Sequence, residues 1–412
     1  MTLRALDRDG RLLFLTRFIR LFAYGSLSVV LVFYLISLGL TESQTGLLLT
    51  LTLAGDVVIS LYLTTRADRI GRRRMLVVGA VLMAAAGVAF AVTYQLPWLV
   101  LAGTIGVISP SGNEVGPFLP IEQAALSHVV PSRSRTSVFA WYSLAGSVAT
   151  ALGALAGGTV TGALQNAAIS PTASYRVIVV FYAALGAVLA LLFTRVSPAA
   201  EATPRDRDAV TAAASGIIGL GARSRPVVAK LSALFALDAF AGGFVIQSFA
   251  AYWFHLRFGV DPAPLGVVFF WANILAGLSA LVASRLAARI GLVNTMVFTH
   301  LPSNVLLILV PFMPTMTLAV VVLLARFSIS QMDVPARQSY IMAVVAAEER
   351  SAAAGITGVA RTVGAAIGPL LVGVMFERPS LVNAPFYVAG TLKIVYDLLL
   401  YREFSAVRPE ED

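Results

Sequence analysis

Twelve stretches of apolar residues, separated by short connections that hold much of the charge, constrain this chain more than any other feature. A helix of roughly 20 residues spans a hydrocarbon layer of about 30 Å, and inside that layer every backbone N–H and C=O needs a partner within the protein. Only helices and closed barrels meet that condition, and these stretches are too long and too free of alternation for barrel strands. The fold class read from the sequence is therefore an all-α integral membrane protein with twelve transmembrane helices. Composition agrees, since 58% of the 412 residues are hydrophobic, 12% are charged and the mean hydropathy is +0.84. Soluble domains hold roughly 45–50% apolar residues.

Gly, Pro and charge punctuation places the spans at about 12 to 38, 43 to 65, 75 to 94, 97 to 130, 136 to 161, 174 to 195, 227 to 254, 264 to 284, 293 to 312, 317 to 345, 351 to 375 and 384 to 401. Residues 197–226 differ in composition, with Pro198, Pro204, Arg205, Asp206, Arg207 and Asp208, and read as a cytoplasmic linker between a 1–196 bundle and a 227–412 bundle. Basic residues gather in alternate connections: Arg66, Arg69 and Arg72 to Arg74, then Arg133 and Arg135, then Arg195 to Arg225, then Arg285 and Arg289, then Arg350. This positive-inside bias puts both termini in the cytoplasm, and it accounts for the net charge of +9 without any nucleic-acid partner. The apolar run after Arg4, Arg8 and Arg11 reads as an uncleaved first span, because no small-residue cleavage site follows it. With no cysteine and three scattered histidines, neither disulfides nor a metal centre is expected.

The connection between the second and third spans reads Thr64-Thr65-Arg66-Ala67-Asp68-Arg69-Ile70-Gly71-Arg72-Arg73, and Ala287-Ala288-Arg289-Ile290-Gly291 echoes it about 220 residues later. Pro120-Ile121-Glu122-Gln123 likewise aligns with Pro335-Ala336-Arg337-Gln338, and at the same offset Gly153 meets Gly368. The chain is thus an internal duplication. The first run resembles the G-x-x-x-D-R-x-G-R-R signature of the major facilitator superfamily of secondary transporters. Asp68, Arg69, Gly71, Arg72 and Arg73 match it, and Thr64 replaces its first glycine. The resemblance implies two pseudo-symmetric six-helix bundles that rock about a midplane substrate site. It also implies that Asp68 caps the eleventh span, within a conformational-switch loop of Asp68, Arg69, Gly71 and Arg72. Gly153 to Gly158 is similar to the G-P-x-x-G-G element of antiporters, with Ala154 in place of proline.

An ionisable side chain at a span centre costs roughly 2.5–3.5 kcal/mol on insertion scales and needs a partner or water. Glu114, Asp238 and Asp333 are the candidates for proton coupling, because a buried carboxylate can load and release a proton. Arg20, Asn113, Glu122, Gln123, Arg326, Arg337, Gln338 and Arg361 are the candidates for the cavity or its gate. Asp333, Arg337 and Arg361 fall at similar depth and suggest one cluster, while Lys393 and Asp397, spaced i, i+4, suggest mutual neutralisation. Opposite charges at the equivalent positions Glu122 and Arg337 suggest a latch between the halves. Arg20 and Asp238, at equivalent levels of the first and seventh spans, suggest either a second cross-half pair or a proton site at Asp238. Residues 108–117, with two prolines and two glycines, either break the fourth span at membrane depth or form an outer loop.

The functional expectation is a monomeric secondary transporter of a polar or charged small molecule, exporting by exchange with protons across an inner or plasma membrane. Its partners are the lipid bilayer, the solute and protons, and no cofactor is expected. The alternatives are uptake, coupled or not, and a receptor or scaffold derived from a transporter. No Gly-Lys-Ser/Thr phosphate loop is present, and no nucleophile, base and oxyanion set converges, so neither an ATP-driven pump nor an enzyme is expected.

Overall fold

The computed structural model describes residues 6–130, 132–201, 220–221, 224–345 and 349–405, without the side chains of 132–137 and 351. Most of the expected linker, including the arginines at 205, 207 and 223, lies outside the described residues, as do the side chains of 133 and 135. The regular structure among the described residues is helical. The first part of the chain holds α1 (Arg8–Ser37), α2 (Glu42–Ile70), α3 (Arg72–Val92), α4 (Leu96–Ile105), α5 (Phe118–Val129), α6 (Ser132–Asn166) and α7 (Pro171–Phe193). The second part holds α8 (Ser224–Gly243), α9 (Gln247–Phe258), α10 (Pro262–Ile290), α11 (Leu292–Leu309), α12 (Met316–Phe327), α13 (Asp333–Ala343), α14 (Arg350–Phe376) and α15 (Ala384–Phe404).

Nine spans among the described residues are long and apolar enough to cross a membrane, counting α8 and α9 together. The other three fall short for identifiable reasons. The fourth is split into α4 and α5, the tenth is split into α12 and α13, and the twelfth, α15, carries Lys393, Asp397, Arg402 and Glu403. With these the architecture is the twelve-helix one. Two expectations need correction: the tenth span was expected to run unbroken and is interrupted at 328–332, and the seventh is interrupted at 244–246.

Local chemistry sets the helix ends. Thr41 and Gln44 form a capping box at the start of α2, and Ser170 with Pro171 opens α7. Gly71 alone separates α2 from α3, and Gly291 alone separates α10 from α11. Both take left-handed backbone, with φ of 121° and 86°, and both donate N–H to the carbonyl four residues earlier, Ala67 or Ala287, at 2.9 Å. The echo seen in sequence is thus the same turn built twice. Asp68 and Arg69 belong to the last turn of α2 and not to a loop, because the helix runs on past the apolar stretch to Gly71.

Packing divides the chain into two compact units, one of Met1–Ser215 with Val260–Phe270, the other of Gly216–Gly259 with Trp271–Asp412. In the first, α1 packs on α6 and α7, α3 on α7, and α2 on α4. In the second, α8 packs on α14 and α15, and α11 on α15, so first-with-fifth and third-with-sixth pairing recurs. Glycines permit these approaches. A Cβ on Gly153 of α6 would lie 2.1 Å from the Phe22 carbonyl oxygen of α1, and one on Gly364 of α14 would lie 2.3 Å from that of Ala236 in α8. Gly158 serves differently, seating Pro262 and Gly266 at the start of α10 within the first unit.

Gly153→Ala forces α1 from α6 and is expected to lower stability by about 1–3 kcal/mol. Gly355→Ala, where a Cβ meets nothing within 4 Å, is expected to be neutral or slightly stabilising. Thermal unfolding in detergent compares them, and equal melting temperatures contradict this packing.

Candidate functional site

The break in the fourth span is built into the interior of the first unit. Val107, Ile108 and Ser109 are buried, and Gly112 and Gly116 turn the chain with φ of 70° and 81°. Twelve residues without a helical ladder leave backbone groups that hydrocarbon cannot satisfy. Side chains from four helices supply partners. Tyr24 of α1 donates its hydroxyl to the Val115 carbonyl at 3.3 Å, Tyr182 of α7 to that of Val107 at 2.5 Å, and Thr150 of α6 to that of Gly112 at 3.2 Å. Asp56 of α2 accepts the Gly116 N–H at 2.7 Å. All four lie near the middle of their helices, which places 106–117 at mid-span and resolves the sequence alternatives in favour of a helix break.

Glu114 leaves this break toward α1. Arg17 Nη1 lies 3.0 Å from Glu114 Oε2, and Arg20 Nη2 lies 2.7 Å from Glu114 Oε1. Arg20 also holds Glu122 of α5 through two bonds of 2.7 Å, with Arg20 and Glu122 both fully buried. Tyr142 and Thr16 donate hydroxyls to Glu122 at 2.5 and 3.2 Å, and the Arg17 and Arg20 guanidiniums lie over the Tyr142 and Phe118 rings. A forked Arg–carboxylate pair is the strong form of this interaction, and removing one partner of a buried pair costs about 3–5 kcal/mol. Asp56 stands apart. It is 7% exposed, accepts from Gly116 and from Ser60 at 3.2 Å, and has no cation at ion-pair distance among the described residues.

Asp238 of α8 is the centre of a second cluster. Lys393 Nζ of α15 lies 2.5 Å from its Oδ1, while Arg337 of α13 and Arg361 of α14 reach its Oδ2 at 3.2 and 3.3 Å. Arg337 also pairs with Asp333 at 3.1 Å. Asp397 takes the other side, 2.8 Å from His300 Nδ1 and 2.9 Å from Asn304 Nδ2, and His300 Nε2 is 3.7 Å from Asp238. Arg326, before the break in the tenth span, feels both Asp238 and Asp333.

The structure joins Asp333, Arg337 and Arg361 as expected, yet regroups other residues. Lys393 and Asp397 do not neutralise each other, because α15 turns Lys393 to Asp238 and Asp397 to His300. Glu122 and Arg337 have partners within their own units, as do Arg20 and Asp238, which removes the motive for a latch or cross-half pair. Each unit instead carries a pair between its first and fourth spans, Arg20 with Glu122 and Asp238 with Arg337, with the signs exchanged. Asn113 is exposed on the break, and Gln338 is exposed on α13. No hydrogen bond joins Gln123 or Gln338 to a cluster among the described residues. Sequence reasoning missed Tyr142, which gave no signal, and His300 with Asn304, whose polar i, i+4 spacing inside an apolar span was one.

At the α2–α3 turn, Asp68 accepts from Arg72 Nε at 2.7 Å, and Arg72 Nη1 donates to the Ala200 carbonyl at 3.2 Å. The Glu201 carboxylate accepts the backbone N–H groups of Arg72 and Arg73 at 2.6 and 3.1 Å, an anion on the first turn of α3. Arg69 is exposed. An apolar cleft of about 440 Å³ between α3 and α4, lined by Leu82, Ala89, Trp98 and Ile105 among others, holds none of the clustered charges.

Comparison with known proteins agrees with this architecture. The profile of the Major Facilitator Superfamily matches residues 13–369 and again 239–412. The chain is 29% identical to the uncharacterized membrane protein YJR124C of Saccharomyces cerevisiae, over 97% of this chain and 95% of that one. It is 23% identical to the quinolone resistance protein NorA of Staphylococcus aureus, over 92% of each. Its fold is similar to the crystal structure of a bacterial homolog of the human lysosomal transporter Spinster, with a TM-score of 0.72 at 16% identity over 96% of this chain and 94% of that one. A twelve-helix chain with buried charge clusters, matched by that profile over most of its length, belongs to the Major Facilitator Superfamily and is a multi-pass membrane transporter of small molecules, not an enzyme.

Proposed function

We propose that this protein moves a polar or charged small molecule by alternating access, in exchange with protons and in the direction of export. In this reading it is a monomer in an inner or plasma membrane with both termini cytoplasmic. The observation that carries the proposal is a buried ionic cluster at mid-span in each unit, beside a broken fourth or tenth span. Charges that cost this much to bury are kept where they meet a solute or a coupling ion. The positive-inside bias supports the orientation, and the likeness to a drug-resistance protein supports export.

Glu114, Asp238 and Asp333, the sequence candidates for proton coupling, each contact a guanidinium or ammonium group. Asp56 does not. Among the described residues its ionisable neighbours are Glu114, Tyr24 and Tyr182, none of them a cation, so a proton is the counter-ion open to it. We therefore place the coupled proton on Asp56, with Glu114 beside it. Loading that proton alters the acceptor that holds Gly116, which links protonation to the backbone of the fourth span.

Vesicles containing the purified protein and a trapped pH dye, challenged with a metabolite panel and a quinolone, test this reading. Solute flux is expected to move protons in the opposite direction. Asp56→Asn is expected to abolish proton movement while solute counterflow persists. Flux indifferent to a pH gradient indicates uncoupled uptake, and ligand binding without any flux indicates a receptor.

A further inference from the structure

We propose that the C-terminal unit recognises an oxyanion, a carboxylate or phosphate group on the solute, through Arg326 and Arg361. This rests on the transport reading and adds the class of substrate. The mid-span charges of that unit are the cations Arg326, Arg337, Arg361 and Lys393 and the acids Asp238, Asp333 and Asp397. Asp397 is engaged by His300 and Asn304, which leaves Asp238 and Asp333 to face four cations. One carboxylate, Asp238, is shared among Lys393, Arg337 and Arg361.

Two guanidiniums are left under-satisfied by this sharing. Arg361 makes one ion pair among the described residues, at 3.3 Å, and its side chain stays 33% exposed, which leaves part of its guanidinium open to a further acceptor. Arg326 makes no ion pair among the described residues, and its buried Nε has no hydrogen-bond partner. Buried donors without acceptors are costly, and the planar guanidinium fork fits the two oxygens of a carboxylate or phosphate. An anionic solute supplies both the missing charge and the missing acceptors. The N-terminal unit has the reverse balance, with Arg17 and Arg20 paired to Glu114 and Glu122 while Asp56 is held by the Gly116 N–H without a cation at ion-pair distance among the described residues. A proton suits that side and an oxyanion suits this one.

Thermal unfolding of the whole protein in detergent, at constant chloride, tests the assignment with benzoate, succinate and inorganic phosphate against benzylamine and benzyl alcohol. At least one anion is expected to raise the melting temperature in a saturable way, with no shift from the cation or the neutral alcohol. Arg326→Lys and Arg361→Lys keep the charge but lose the fork, and each is expected to weaken that anion by about tenfold or more. Greater stabilisation by benzylamine, no shift from any anion, or undiminished anion affinity in both variants overturns the proposal. The wild-type comparison stands even where a variant does not fold. Proton exchange against a cationic solute in the vesicle assay leaves the transport reading intact while this assignment fails.

Discussion

The Arg20 guanidinium is fully buried, out of reach of solvent, so it is fixed where two carboxylates reach it. That demand ties α1 to the fourth span both at its break, through Glu114, and after it, through Glu122 of α5. The second unit meets the same demand with the signs exchanged, an acid on its first span and an arginine on its fourth. A duplicated chain can diverge this way because reversing both partners preserves the attraction. Reversing one alone leaves a buried charge without a counter-ion.

The backbone obeys a parallel rule. Where the fourth span stops being a helix, its free carbonyls and N–H groups are taken up by Tyr24, Tyr182, Thr150 and Asp56 from four different helices. Any motion of α1, α2, α6 or α7 therefore acts on the break, and the break carries Glu114. Interruption of the tenth span sets Arg326 and Asp333 on either side of a gap in the same way. Irregular backbone and buried charge thus occur together, because each makes room for the other.

Much of this was legible in the sequence. Hydrophobic runs gave the spans, and the Gly71 turn recurred at Gly291 because a one-residue connection between helices needs left-handed backbone. The prolines and glycines of 108–117 marked the break. The tenth and seventh breaks were passed over: Gly242-Gly243 stands just before the seventh break and Pro335 just after the tenth, but each is a lone signal inside an apolar run, where 108–117 holds two prolines and two glycines together. Pairing within a helix was a poor guide: Lys393 and Asp397 share a face by spacing, but deep inside a bundle each answers to the nearest opposite charge on another helix. Equivalence between repeats singled out Glu122 and Arg337, and each has an ion-pair partner inside its own unit, because symmetry relates positions without saying which side chains meet.

The account turns on the break in the fourth span meeting water at mid-depth, and the absence of cysteine from the chain makes that directly measurable. Asn113→Cys puts one thiol on the exposed edge of the break. A membrane-impermeant thiol reagent is expected to label it in intact membranes, which requires an aqueous route to that depth. Labelling by a lipid-soluble reagent alone would contradict the account, since the break would then face hydrocarbon.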